Sequence, residues 1–214
     1  MVWQRARSDE QKNQRRQILL STASRMFSDQ PLETISLNAI AREANVSKAN
    51  IYRYFESREQ VFLQLTLEAL EQFAETAERR LSLLEGPASG EEVARIYAES
   101  FVDHPRFARL SSVLSTVLEK NVSSEAIVSF KLAYLESLDR LFAATHRALT
   151  DLSEEQIGRV IQAAYILMVG MWPAANPVEA VAEALERPEL QSMCINFQAD
   201  YPVLLAATIR GLRQ

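Results

Sequence analysis

The sequence predicts an all-α protein, a small N-terminal three-helix unit followed by a larger helical body, and three observations carry that expectation. Apolar residues recur with helical period along nearly the whole chain. Glycine (5) and proline (7) are scarce among 214 residues, which disfavours a many-turned β architecture. Helix-start signals, a Ser or Asn followed three residues later by Glu or Gln, recur at intervals that parcel the chain into helices. The length suits one or two domains with a substantial core. A content of 48% hydrophobic and 24% charged residues is that of an ordinary globular chain.

In the first helix Ile18, Leu19, Ala23, Met26 and Phe27 fall on one face, with Arg15, Arg16 and Arg25 outside it, and Pro31 closes it. A short second helix follows the pattern Leu37, Ile40, Ala41, Ala44 and is started by Ser36. Asn45-Val46-Ser47 breaks the chain tightly, and Ser47 is placed to cap a helix running to about Phe55. Ser57 and Gln60 form a capping box that opens a long helix through Leu63, Leu67, Leu70, Phe73, Ala77 and Leu81, ended by Gly86-Pro87. Similar starts at Ser89, Ser153 and Asn176, the last with Pro177 at the first helical position, divide the rest into helices near 89–103, 105–120, 124–149, 153–172 and 177–186. A final helix spans about 197–212, with Pro202 in or near its first turn. The expected domains are residues 1–57, including a short basic arm, and residues 58–214.

The net charge of −5 argues against a nucleic-acid partner, but it hides an asymmetry. Residues 1–55 carry nine Lys/Arg and five Asp/Glu; the remainder carries fourteen and twenty-three. A basic head on an acidic body would approach DNA in one orientation, although chance clustering on a solvated helix gives the same count. The single Cys194 excludes an internal disulfide and a multi-cysteine metal site. His104 and His146 are isolated, so no metal or cofactor is expected. No apolar signal core opens the chain, and the uncharged run from Val160 to Val178 reads as a buried helix followed by a turn. A cytoplasmic location is the expectation.

Two short helices across a three-residue turn are the geometry that sets a second helix in a major groove. Small Ala41 allows close approach, Asn45 tolerates a left-handed backbone, and Val46 and Ile51 point back to lock the pair. Lys48, Ala49, Asn50, Tyr52, Arg53 and Tyr54 are left facing outward. Lys48 suits a guanine edge or phosphate, Asn50 an adenine, and Ala49 a thymine methyl. Tyr52 and Tyr54 offer hydroxyls to phosphates, as do Ser36 and Arg58 at two helix starts. Arg5, Arg7 and Lys12 form the basic arm, a candidate for backbone or minor-groove contact or for plain solvation. The same residues also fit a simple helical hairpin with core tyrosines and a solvated basic face.

The run from Thr34 to Glu59 strongly resembles the DNA-binding domain of the TetR family of bacterial regulators. Ile40-Ala41, the turn Ala44-Asn45-Val46-Ser47, the exit Tyr52-Arg53-Tyr54-Phe55 and the start Ser57-Arg58-Glu59 match that family's motifs in order and spacing. Asn45 stands where Gly is usual, and Arg58 where Lys is usual; both keep the physical role. The match covers about residues 12–62. It implies a transcriptional regulator, most simply a repressor released from operator DNA by a small effector. An activator, or a protein of the same fold without an effector, remains an alternative. An enzyme is not expected, since no phosphate loop, nucleophile elbow or acid–base cluster is present.

The resemblance further implies a helical body that dimerises and encloses an effector pocket. The most apolar helices place Ile157, Val160, Ile161 and Ala164, then Leu204, Leu205, Ile209 and Leu212, as the expected homodimer face; internal core is the other reading. Phe101, His104, Phe107, Tyr134, Tyr165, Met168, Met171 and Trp172 are the pocket candidates, with Arg109 and Glu119 as further polar groups. Their bias points to a hydrophobic or aromatic effector, while each residue singly also fits a core role.

Overall fold

The computed structural model describes residues 2–214, with side chains from Glu10 onward. It is built of ten α-helices among the described residues and contains no strand there. These are α1 (Val2–Asp29), α2 (Leu37–Glu43), α3 (Lys48–Ile51), α4 (Arg58–Ser82), α5 (Gly90–Asp103), α6 (Pro105–Ser112), α7 (Ser124–Ala148), α8 (Glu154–Ala175), α9 (Glu179–Leu185) and α10 (Phe197–Leu212). The chain forms two compact units, residues 1–65 with 114–130, and residues 66–113 with 131–214. The division runs through α4, beyond the 57/58 boundary read from the sequence, and gives the start of α7 to the first unit.

In the first unit, α1 to α3 and the start of α4 enclose Leu19, Leu20, Ala23, Phe27, Ile35, Ile40, Ile51, Phe55, Val61 and Phe62. Phe27 and Phe62 meet edge to face at 5.5 Å, an arrangement worth about 0.5–1.5 kcal/mol beyond burial. Ile18 departs from its expected place on this face: it is 49% exposed, and Leu20 is buried instead. Arg16 lies over the Phe55 ring and donates to Gln64 Oε1 at 3.0 Å, fixing α1 against α4 within this unit.

In the second unit α5 packs most extensively on α10, and α10 in turn on α8. The approach is close at Gly90, where a Cβ would stand 3.0 Å from Ile209 Cγ2 and press that side chain aside by a few tenths of an ångström. Tyr201, fully buried, donates its hydroxyl to Ala164 O at 2.9 Å and so ties α10 to α8. Tyr97 and Thr145 share a buried hydroxyl bond of 2.8 Å between α5 and α7. Burial pushes the Tyr97 phenol well above its usual range and keeps it protonated, against the opposing effect of the Thr145 bond. Arg140 on α7 bridges Glu71 and Glu78 on α4.

Local signals mark several helix starts as expected. Ser89 with Glu92, and Ser153 with Gln156, form complete capping boxes. At Ser57 the box is displaced: Ser57 Oγ accepts from Gln60 N, but Gln60 Oε1 reaches Glu56 N rather than Ser57 N. The single helix expected over 105–120 is instead α6 followed by a π-helical turn, Leu114–Leu118, closed by Glu119 N donating to Leu114 O at 3.0 Å. Asn176 does not start α9. It ends α8, with its backbone N and side-chain Nδ2 both donating to Trp172 O, which carries α8 past Pro173 to Ala175. α8 is long and apolar enough to cross a membrane by composition, but its Ile157, Val160, Ala164 and Met168 are core residues of this unit.

Candidate functional site

The turn between α2 and α3 is fixed by a complete set of local bonds. Ser36 caps α2, accepting from Ala39 N at 3.1 Å. At the other end Asn45 adopts φ 53°, its N–H donates to Arg42 O at 3.2 Å, and Val46 N–H donates to Ala41 O at 2.8 Å. This pair of bonds is the Schellman arrangement, in which a left-handed residue turns the chain and satisfies the last helical carbonyls. Gly is the usual occupant; Asn tolerates the conformation better than other side chains. Fully buried Ile51 and half-buried Val46 lock α3 against α2.

The α-helical part of the 47–55 segment is short, Lys48–Ile51. Tighter bonds carry the coil onward, with Arg53 N to Asn50 O and Tyr54 N to Ile51 O. Lys48, Ala49, Tyr52 and Arg53 are exposed; Asn50 and Tyr54 are half-buried. Arg42, Lys48 and Arg53 are exposed cations, and among the described residues none of them is ion-paired. Glu43, the nearby acid, is neutralised by Arg25 at 2.9 Å. The segment thus presents free positive charge, a small apolar contact and amide and phenol groups on one rigid turn, the set that reads base edges and positions phosphates. Ser47 was expected only as a cap. It takes the N-cap backbone geometry, yet its exposed hydroxyl makes no cap bond and faces outward beside Lys48.

Arg58 departs from expectation. Its Nη1 donates to Leu32 O (3.3 Å) and Ile35 O (3.0 Å), while Nε and Nη2 hold Glu59 Oε1, a side chain only 8% exposed. Those bonds pin the 32–35 turn to the start of α4 and leave the guanidinium little capacity for a phosphate. The backbone of the expected basic arm is continuous with α1, and the side chains of Arg5 and Arg7 lie outside the described residues.

The expected pocket residues divide into groups. Phe101, Phe107 and Met168 are core residues, and Phe73, which sequence reading placed only on a helix face, stacks on Phe101 at 4.3 Å and on Phe107 at 5.1 Å. His104 bonds Thr76 Oγ1 through Nε2 at 2.9 Å, with its pKa lowered by partial burial. Tyr134 and Tyr165 meet edge to face at 6.4 Å on α7 and α8. Met171 and Trp172 are largely buried near the end of α8. A cleft of about 360 Å³ opens there, lined by Val102, Trp172, Ala175, Asn176, Ile195, Asn196, Phe197 and Gln198. Of the pocket candidates only Trp172 lines it.

The expected dimer face also needs correction. Ile157, Val160, Ala164, Leu205 and Ile209 are each at most 1% exposed within one protomer, so none of them can meet a partner. Ile161, Leu204 and Leu212 remain accessible, and exposed Ile166 and Val203 extend the apolar surface of α8 and α10. Among the described residues no three His, Cys, Asp or Glu side chains gather as a metal site requires.

Comparison with known sequences and structures fits this geometry. Residues 19–65 match the family described as bacterial regulatory proteins, tetR family, and residues 67–214 match the tetracyclin repressor-like C-terminal domain. The chain belongs to the TetR family. It is therefore a DNA-binding transcriptional regulator rather than an enzyme. Among solved structures, the fatty acid degradation regulator FadR from Bacillus halodurans shares the fold with TM-score 0.56 and 12% identity over 94% of this chain and 97% of that one. A TetR/AcrR regulator from Thermobifida fusca aligns with TM-score 0.56 and 15% identity, covering 94% of this chain and 100% of its own. A SmeT–triclosan complex aligns with TM-score 0.52 and 15% identity, covering 92% and 90% respectively. At such identities the likeness establishes the TetR fold. No curated protein sequence matches significantly.

Proposed function

We propose that this TetR-family chain is a cytoplasmic, homodimeric repressor that a small hydrophobic or aromatic effector releases from its operator. The observation that carries the reading is the exposed, unpaired basic and polar surface of Lys48, Tyr52 and Arg53, with half-buried Asn50 among them, on a turn locked by Asn45. Ser36, Ala49 and Tyr54 complete the proposed DNA contact, and Ser47 joins them; Arg58 is left out because its bonds are internal. Two such segments, about 34–36 Å apart in successive major grooves, require a twofold dimer. The accessible apolar residues Ile161, Ile166, Val203, Leu204 and Leu212 supply a self-complementary surface for it. Leu204→Asp should separate the dimer, measured as molar mass in solution; an unchanged mass would remove this face from the account.

Release follows from linkage. An effector that prefers a state with the wrong head separation lowers operator affinity, and operator lowers effector affinity by the same factor. Shifting the states from 1:99 to 99:1 takes about 5.5 kcal/mol of differential binding, shared among the effectors bound. α4 is one continuous helix across the boundary between the units, so it is the natural carrier of that change. Titrating the dimer–operator complex with hydrophobic and aromatic compounds tests the reading. Dissociation by one of them at a defined stoichiometry supports repression by release, and tighter operator binding would make the effector a co-repressor instead.

A further inference from the structure

The cleft at the end of α8 has a chemistry of its own. Trp172 and Phe197 pack at 5.1 Å with their rings inclined by 76°, so they form a corner of two nearly perpendicular planes. Phe197 is stacked on Tyr201 at 4.8 Å, and both meet Phe101 edge on, so the corner is held rigid from behind. Val102, Ala175 and Ile195 make apolar walls. The rim consists of amides, and their hydrogen-bonding capacity is only partly used. Asn176 spends its Nδ2 on Trp172 O, which leaves its Oδ1 as an acceptor. Asn196 spends its Oδ1 on Ala199 N, which leaves its Nδ2 as a donor. Gln198 offers both.

None of the eight lining residues is ionisable. The acids that flank them in sequence are occupied, Asp103 by Arg80 and Asp200 by the backbone N–H of Asn196. An anion entering the cleft would find no cation among the lining residues to replace its hydration. An uncharged molecule loses little on desolvation, can rest on the narrow rims that Trp172 and Phe197 leave accessible (7% and 5% exposed), and can exchange one donor and one acceptor with the amides. The volume of about 360 Å³ lies at the lower end of small-molecule sites, which run from about 300 to 1,000 Å³.

We infer that this cleft is a ligand site for a small, neutral, mainly apolar molecule carrying a hydroxyl or amide group. This rests on the effector reading above and gives it a place and a chemical class: the effector binds where α8 ends and α10 begins, not among Phe107, Met168 and Tyr134. The site also lies at the two roots of the 177–195 excursion, since Asn176 leaves α8 and Ile195 returns the chain to α10.

Trp172 makes the site observable. In a Trp3→Phe background it is the remaining tryptophan, and full-length dimer is titrated with 2-naphthol, with anionic 2-naphthoate and with cationic 2-naphthylmethylamine. Saturable quenching by 2-naphthol, one per protomer and at least tenfold tighter than either charged probe, is the expected result. Ala175→Phe and Val102→Phe each place a ring in the cleft; each should weaken 2-naphthol at least tenfold while circular dichroism stays unchanged. Absence of saturable quenching overturns the site, as does binding unaffected by both filling variants, or quenching confined to a dissociated Leu204→Asp protomer. Preference for a charged probe overturns the ligand class. If 2-naphthol binds as described but operator affinity does not change, the site stands and the effector reading falls. If another effector releases operator equally well from Ala175→Phe, the effector reading stands and this site falls.

Discussion

Arg58→Ala distinguishes a structural tie from a phosphate contact, and the two roles predict different observables. The guanidinium bonds two carbonyls of the 32–35 turn and pairs with Glu59, whose side chain is 8% exposed. Breaking a fully buried ion pair costs about 3–5 kcal/mol, most of it the penalty of the stranded partner. Here Arg58 is 24% exposed, and Glu59 lies in the first turn of α4, where the helix dipole favours a negative charge. Both effects lower the penalty, so the head should lose about 2–3 kcal/mol. Glu59→Gln added to Arg58→Ala removes the stranded charge and should return about 1 kcal/mol of it. The assay is backbone hydrogen exchange of the head, which reads local opening without assuming that both units unfold together. A phosphate role predicts something else: unchanged exchange, and a log–log salt slope of DNA binding reduced by about one. Exchange unchanged within about 0.5 kcal/mol together with that lower slope would refute the tie.

Three further outcomes follow from the structure. Asn45 holds φ 53°, so Asn45→Ala should destabilise the head by about 1–2 kcal/mol, whereas Asn45→Gly should leave it within about 0.5 kcal/mol, measured by the same exchange; equal effects would mean that the turn adapts. Tyr201→Phe should cost about 1 kcal/mol in urea unfolding of the body, because Ala164 O keeps its place in the α8 ladder and is not stranded; a loss above about 3 kcal/mol would show a larger role for that hydroxyl. The His104 pKa is lowered by burial, so the unfolded chain takes up a proton near pH 6.5 before the folded chain does. The contribution is fully present above that value and is lost as pH falls through the lower folded value. Melting temperature should therefore drop between pH 7 and 5, by less in His104→Gln; identical profiles would contradict the assignment.

The parts of the fold that were legible in the sequence are those fixed by neighbours in the chain. Ser36, Asn45, Ser89 with Glu92 and Ser153 with Gln156 act within a few residues of themselves, so their pattern determines their bonds. The outward face of the 47–55 segment was legible for the same reason: once Ile51 and Val46 turn inward, Lys48, Ala49 and Tyr52 must turn outward. Distant partners were not legible. Arg58 resembles an exposed base at a helix start until Leu32 and Ile35 bring their carbonyls to it across 26 and 23 residues. The apolar faces of α8 and α10 announce burial but not the partner, and Ile157, Val160, Ala164, Leu205 and Ile209 proved to be covered within the protomer. Asn176 carried the signal of a helix start, yet its amide is used to end α8. Phe197 was missed because its importance lies in its angle to Trp172, which no periodicity encodes.

The central claim is sequence-selective DNA binding through the 47–55 segment. Its most direct test is the affinity of wild type and Asn50→Ala for DNA from the protein's own upstream region and for a scrambled duplex, across a salt series. The account predicts tight, salt-sensitive and selective binding by wild type, with about 1–3 kcal/mol of affinity and part of the selectivity lost in Asn50→Ala. Selective binding that Asn50→Ala leaves intact, or wild-type binding indifferent to sequence, would contradict it.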